Sequence, residues 1–232
     1  MNKEQNTKIL FRALNVGKSY PLTKTHALRD VSLAVEQGEF VGIKGPSGSG
    51  KSTLLYLLAG LLVPTTGTIY FQNTPLESIR NKVRYRRMNI GFVFQDFYLY
   101  PGFTVLQNVL FPVLYRGIVP TSIRKKAESL LDEMNVLHKR DVPVEVLSAG
   151  ERQRVCIARA LINDPKCILA DEPTGNLDSQ NGQAILEMFK TINVRNQTTI
   201  ILVTHEDGVS RSAHRLIHII DGKDTASMGK IL

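Results

Sequence analysis

Gly45-Pro-Ser-Gly-Ser-Gly-Lys51-Ser52-Thr53 is the stretch on which the fold turns. It fits the pattern G-x-x-x-x-G-K-[ST], with an apolar run at residues 40–43 before it and a helix-compatible run at residues 52–62 after it. A strand entering and a helix leaving are the context in which such a loop cradles phosphate. Glycines let backbone N–H groups turn inward around phosphate oxygens, and the helix N-terminus adds a favourable dipole. Gly45, Pro46, Ser47, Gly48, Ser49, Gly50, Lys51, Ser52 and Thr53 are therefore the candidate ligand loop. Lys51 is suited to meet the β- and γ-phosphates as a point charge, and the Ser52 hydroxyl to ligate Mg²⁺.

A phosphate loop of this kind requires an acidic partner for the metal on a neighbouring strand. Cys167-Ile-Leu-Ala-Asp171-Glu172-Pro173 supplies it. The apolar strand ends in Asp171, which can hold Mg²⁺ directly or through water. Glu172 follows at the carboxyl end, where ligands of open α/β sheets bind, and can orient or deprotonate an attacking water.

Working outward, short runs rich in β-branched and aromatic residues recur at 31–35, 40–43, 68–71, 90–94, 168–170, 199–203 and 216–220. These read as strands. Helical patterns lie between several of them. Ile123, Ala127, Leu130, Leu131 and Met134 share one face, with Thr121 or Ser122 placed to cap. Ile185, Met188, Phe189 and Ile192 recur at i, i+3, i+4 and i+7. Fully apolar strands alternating with helices indicate an α/β protein with a mostly parallel sheet covered on both faces. The first three strand candidates lie close together and predict an N-terminal antiparallel β flap. Residues 96–164 show only helices and loops and read as a helical subdomain. It is inserted into a core of residues 1–95 and 165–232, within a single domain of 232 residues.

Composition sets the outer bounds. Hydrophobic residues at 43% and charged residues at 22% are near the globular average and exclude a disordered chain. The longest apolar run, residues 54–63, is about half of the roughly 20 residues a membrane helix needs. The opening MNKEQNTKIL lacks the apolar centre of a secretory signal, so a cytosolic protein is expected. Lys and Arg exceed Asp and Glu by 29 to 21, a formal +8, and the excess suggests an anionic partner. Arg80, Lys82, Arg84, Arg86 and Arg87 form one dense run, readable as a solvated helix face or as a surface for anionic lipid headgroups. The two cysteines, Cys156 and Cys167, match neither a metal clip nor a redox pair and read as buried reduced thiols.

Leu147-Ser148-Ala149-Gly150-Glu151 opens another helical stretch. Ser148 can cap it, and the Ala-Gly pair leaves backbone N–H groups uncovered, which makes a second helix N-terminus suited to phosphate. One nucleotide has little use for two such sites in one chain. Two chains facing head to tail can use both.

With these elements in this order, the sequence resembles the ATP-binding subunit of ABC transporters over almost its whole length. L-S-A-G-E-R-Q-R looks like the family's signature, commonly L-S-G-G-Q or L-S-G-G-E. Ala149 departs from it while keeping the position small. The resemblance implies an ABC ATPase fold built on a P-loop NTPase core, with ATP and Mg²⁺ as ligands. Tyr20 resembles the aromatic that stacks on adenine. Gln95 resembles the glutamine that senses Mg²⁺ and couples to the membrane partner. Asn176-Leu177-Asp178 resembles the loop that crosses a dimer interface, and His205 the histidine that contacts the γ-phosphate. In the pairing the family implies, Ser148, Ala149, Gly150 and Glu151 of one chain complete the phosphate loop of the other.

A narrower resemblance, to the macrolide-export and lipoprotein-release branch, rests on T-G-N-L-D-S, on G-F-V-F-Q-D-F-Y-L-Y-P, and on Asn108-Val followed by Pro112-Val-Leu-Tyr-Arg-Gly. It implies an ATPase on the cytoplasmic face of the membrane, partnered by an integral permease subunit and by a second copy of itself. That permease would export or extract a drug, peptide, lipoprotein or haem. The segment from Gln95 to Tyr115 is expected to touch the permease. Phe97, Tyr98, Tyr100 and Phe103 there suit an interface or an ordinary aromatic core. Two rival functions keep the ATPase and change its task. Single-domain relatives also serve soluble machines such as cell division or iron–sulfur cluster assembly. A nucleic-acid machine is not expected, because residues 53–147 hold no sustained heptads.

Overall fold

The computed structural model describes residues 8–22, 25–114, 117–205 and 207–225. In chain order, β1 (Ile9–Tyr20), β2 (Thr25–Glu36) and β3 (Phe40–Lys44) lead into the glycine-rich loop and α1 (Lys51–Leu58). Then come β4 (Thr66–Phe71), β5 (Thr74–Pro75), α2 (Lys82–Asn89) and β6 (Ile90–Phe94). Three helices follow, α3 (Val105–Leu114), α4 (Thr121–Glu133) and α5 (Ala149–Leu161). The remainder is β7 (Cys167–Asp171), α6 (Ser179–Asn196), β8 (Thr199–Thr204), β9 (Arg215–Ile220) and β10 (Lys223–Asp224). The readings made of Tyr115, of Arg116 in the branch-like motif and of the first seven residues lie outside the described residues.

The strands form a four-stranded sheet of order β2-β1-β4-β5 and a six-stranded sheet of order β10-β9-β3-β8-β7-β6. All pairings in the first are antiparallel. In the second, β9, β3, β8, β7 and β6 run parallel, and β10 is the antiparallel edge. Side chains alternate faces along a strand, so a strand apolar at every position must be covered on both sides. On β8, Ile200 and Leu202 enter one core with Ile168 and Ala170 of β7 and with helices α3 to α6. Ile201 and Val203 enter the other with Cys167 and Leu169, α1 and the antiparallel sheet. The central strands are thereby fixed from both faces, and their carboxyl ends make a rigid edge.

The α/β class, the mostly parallel sheet and the antiparallel flap agree with the sequence reading. One assignment within it needs correction. The segment 40–43, expected in the flap, is β3, which is buried on both faces and lies between β8 and β9 in the central sheet. Its place in the flap belongs to β1, whose apolar alternation is broken where Asn15 adopts φ 51° and the register with β2 and β4 shifts. Helix α1 stops at Leu58, with Ala59 as its C-cap, and Gly60 at φ 64° turns the chain before the predicted end at 62. Neither Thr121 nor Ser122 caps α4; Pro120 occupies the N-cap without a side-chain hydrogen bond.

Among residues 96–164 the helices α3, α4 and α5 pack on one another, and α5 also packs on β6. The basic run is not a uniformly solvated face. Arg80 and Arg84 are exposed, whereas Arg86 turns inward to donate from Nη1 to the Gly60 carbonyl at 3.1 Å. Both cysteines are free and buried, as expected. Burial pushes the Cys156 thiol up to about 12, the nearby Arg159 opposing.

Candidate nucleotide site

The glycine-rich loop leaves the carboxyl end of β3, with β8 on one side and β9 on the other. Gly50 turns it into α1 at φ 101°, in the left-handed region that only glycine enters freely. A Cβ there would lie 2.2 Å from the Ala27 carbonyl of β2, so a side chain is excluded by space as well as by backbone angle. Pro46, Ser47 and Gly48 form the exposed lip; Gly45 and Thr53 are half-buried. Lys51 is only 4% exposed, and its ammonium donates to the carbonyls of Gly45 at 2.9 Å and Pro46 at 2.8 Å. The Ser49 hydroxyl is buried and has no hydrogen-bond partner in the protein. A loop holding a buried cation and an unsatisfied hydroxyl next to an uncapped helix start is chemically fitted to a polyanion.

Asp171 ends β7, 9% exposed, beside this helix start. Its Oδ1 accepts from Ser52 Oγ at 2.8 Å and its Oδ2 from Tyr56 OH at 2.9 Å. Burial and the hydrogen bond to Asp171 raise the Tyr56 phenol to about 12, so it stays protonated. Glu172 stands in the left-handed region at φ 45°, and its N–H donates to the Val203 carbonyl at 2.9 Å. Its Oε2 lies 3.1 Å from Nδ1 of His205, just beyond β8 and 58% exposed. The strained backbone turns the carboxylate out of the strand line toward that imidazole.

Gln95 arrives from the neighbouring strand, because Phe94 of β6 pairs with Asp171. Its carbonyl accepts from Asn176 Nδ2 at 2.8 Å, and its amide packs on Gly175, where a Cβ would lie 2.9 Å from Gln95 Nε2. Tyr20 ends β1 half-buried, with Lys18 Nζ 5.4 Å from its ring centroid. It pairs with Thr25, two residues from the Ala27 that abuts the phosphate loop. Lys51, Ser52, Asp171, Glu172, Gln95 and His205 thus gather at the carboxyl ends of β3, β6, β7 and β8.

The Ser148 helix start is elsewhere. Helix α5 packs on β6, three strands from β3, a lateral separation of roughly 14 Å at strand spacing. Ser148 and Glu151 form a reciprocal capping box. Glu151 Oε1 also pairs with Lys139 Nζ at 2.6 Å. Lys139 and the Ser148 backbone N–H hold the Glu151 carboxyl down to about 2. Ser148 and Ala149 are exposed, and Gly150 is buried against Asn181, whose Oδ1 would lie 3.1 Å from a Cβ at that glycine. Asn181 donates from Nδ2 to Asp178 Oδ2 at 2.6 Å and from its backbone N–H to Oδ1 at 2.9 Å, so Asp178 caps α6 and is tied to the Ser148 turn. These two hydrogen bonds from Asn181 also hold the Asp178 carboxyl below its usual range.

Tyr56, Lys139 and Asn181 were not anticipated. Tyr56 alone left a readable signal, standing four residues after Ser52 on the same helix face.

A strand, a glycine-rich loop with a buried lysine, and an acidic strand end bonded to the loop's serine define a nucleoside-polyphosphate-binding protein of the phosphate-loop class. Comparison with known proteins narrows the class. The family model described as ABC transporter matches residues 28–175. The chain is 44% identical over 201 residues to the lipoprotein-releasing system ATP-binding protein LolD of Saccharophagus degradans, covering 85% of this chain and 88% of that protein. Among solved structures it is 39% identical to a dimeric ATP-binding cassette in a post-hydrolysis state bound to ADP and Pi. The match has a TM-score of 0.85 and covers 93% of this chain and 97% of the other. It is equally similar, with the same scores, to the dimeric structure of a bacterial ABC transporter cassette. The chain belongs to the ABC transporter family, as its ATP-binding, ATP-hydrolysing subunit.

Proposed function

We propose that this chain powers a membrane permease by closing as a head-to-tail dimer around two MgATP and reopening when they are hydrolysed. The observation that carries the reading is the single edge where Lys51, the Ser52–Asp171 pair and the Glu172–His205 pair converge. Lys51 neutralises the β- and γ-phosphates, and the loop N–H groups from Gly45 to Thr53 surround them. Glu172 orients and deprotonates the attacking water. His205 pairs with Glu172 through Nδ1 and stands at the edge where it would contact the γ-phosphate. Tyr20 packs on the adenine.

Among the described residues no cluster of three or more His, Cys, Asp or Glu would hold a metal unaided. One hydroxyl and one carboxylate 2.8 Å apart, both hard oxygen donors, instead fit Mg²⁺, which takes its remaining oxygens from phosphate and water. Ser52 and Asp171 would hold it, with Gln95 adjacent, and it would supply charge neutralisation at the transferring phosphoryl group.

The exposed Ser148-Ala149 turn and Gly150, remote from the chain's own loop, complete the partner's site. Asp178, tied to that turn through Asn181, lies along the same interface. Ala149 keeps the turn small enough for close approach. The similarity to dimeric cassettes supports this pairing.

Among the described residues no helix is long and apolar enough to cross a membrane. The permease's docking place is a groove of about 820 Å³ whose walls include Leu61, Phe94, Tyr98, Tyr100, Phe111 and Arg159. Tyr98 and Tyr100 are exposed there, and Tyr100 stacks on Phe111 at 3.8 Å between centroids. Such aromatics suit an interface anchor. The division into a core of 1–95 and 165–232 and a helical subdomain of 96–164 follows the same reading, with the groove at the junction. The protein then sits on the cytoplasmic face of the membrane, and resemblance to the lipoprotein-releasing relative supports extraction of a lipid-linked cargo.

Tagged Glu172→Gln protein, loaded with ATP and used to capture partners from detergent-solubilised membranes, tests this. Recovery of an integral membrane subunit with a large extracytoplasmic domain is expected. Recovery of soluble proteins only would overturn the transport reading and leave the ATPase.

A further inference from the structure

Ser52 and Tyr56 are one turn apart on α1, so both hydroxyls project from one face toward the end of β7. Each takes one oxygen of the same carboxylate: Ser52 holds Asp171 Oδ1 at 2.8 Å, and Tyr56 holds Oδ2 at 2.9 Å. An aspartate's terminal torsion is broad and roughly two-fold, so a carboxylate held at one oxygen can still swing. Held at both, it has one orientation. We propose that Tyr56 is a positioning residue for the metal carboxylate, fixing the plane of Asp171 so that Oδ1 faces the same point as the Ser52 hydroxyl.

This inference rests on the Mg²⁺ assignment above and extends it to a side chain outside the phosphate-loop and acidic-strand motifs. The Ser52 contact to Oδ1 would be given over when Ser52 turns to the ion. The Tyr56 contact is on the other oxygen and does not compete. Tyr56 therefore keeps Oδ2 anchored through the exchange, while the ion would replace Ser52 as the second point of fixation at Oδ1. Groups that orient a metal ligand in this way typically change metal affinity by about ten- to a hundredfold when removed.

The test is ATP binding by the full-length protein, measured in EDTA and over a series of Mg²⁺ concentrations, for wild type and Tyr56→Phe. Affinity in EDTA should stay within about twofold, while the half-saturating Mg²⁺ concentration rises about tenfold. At saturating Mg²⁺ the KM for ATP should be unchanged. In an Asp171→Asn background, Tyr56→Phe should add nothing further to the Mg²⁺ midpoint. A wild-type Mg²⁺ midpoint in Tyr56→Phe overturns the proposal, and so does full additivity with Asp171→Asn. Equal losses in EDTA and in Mg²⁺, with a lowered melting temperature, would mean that the hydroxyl is merely structural and would also overturn it. Wild-type binding that ignores Mg²⁺ would instead bring down the metal assignment itself, and this proposal with it.

Discussion

Two helices of this protein begin at small-residue turns, and they are finished in opposite ways. Helix α1 starts at Gly50 with no side-chain cap and no acidic residue in its first turn. Helix α5 starts at Ser148 with a complete capping box, and its Glu151 is further bound by Lys139. The first turn of any helix leaves backbone N–H groups without intrahelical partners. At α5 the protein satisfies part of that demand with its own side chains, whereas at α1 it leaves the demand to a ligand and sets Lys51 behind it. One terminus is thus chemically fitted to an anion. The other is a stable, exposed surface that can be brought to a site made elsewhere.

That contrast breaks most sharply at the chemistry. Glu172→Gln should lower turnover by about 10²- to 10⁴-fold, the range for losing a general base, while ATP still binds and an ATP-bound dimer accumulates on size exclusion. Turnover at the wild-type rate would remove Glu172 from that role. Lys51→Ala should reduce ATP affinity about a hundredfold, since hydrogen bonds to a charged group contribute about 1.5–3 kcal/mol each. Unchanged affinity would refute the assignment of the loop itself. Ser148→Arg should leave ATP binding by the single chain intact and weaken ATP-dependent dimerisation at least about tenfold, as for a blocked interface centre. Ser148→Ala is the sharpening control: it loses the cap but not the space, so it should lower the melting temperature and still dimerise.

The parts of this comparison were not equally legible. The phosphate loop, Asp171, Glu172 and the Ser148 turn are contiguous words, each with its flanking strand or helix beside it in the sequence. What joins them is not contiguous. That β3 leaves the flap for the central sheet depends on pairing with β8 and β9, more than a hundred residues later. Strand β1 does not read as a strand in the sequence because its irregularities at Asn15 and Gly17 disturb the alternating period. Tyr56 meets Asp171 across the sheet-to-helix layer, and Asn181 meets Gly150 between two helix starts, neither of which spacing alone reveals. The cap expected at Thr121 or Ser122 is absent for a local reason, since Pro120 takes the N-cap position itself. That β6, on which α5 packs, stands three strands from β3, roughly 14 Å at strand spacing, follows from strand order, not from the motifs.

The smallest effect tests whether α5 is self-sufficient in the way its wiring implies. Lys139 and the Ser148 N–H hold the Glu151 carboxyl down to about 2, against 4.5 for the unperturbed group. A carboxylate whose pKa is lowered on folding stabilises the folded state above its unfolded value and loses that contribution as pH falls toward the folded one. Wild type should therefore exceed Glu151→Gln by about 1 kcal/mol at neutral pH, the scale of a lost cap and one partly exposed ion pair. The gap should narrow only below pH 4.5. Urea melts from pH 7 down to pH 3 would show it, and a gap that stayed constant to pH 3 would refute the capping network as its source. ATP added at neutral pH should stabilise both proteins equally, because the ligand satisfies α1 and not α5. If ATP rescued Glu151→Gln selectively under conditions where the chain is monomeric, the two helix starts would be coupled within one chain, and the division between them would not hold.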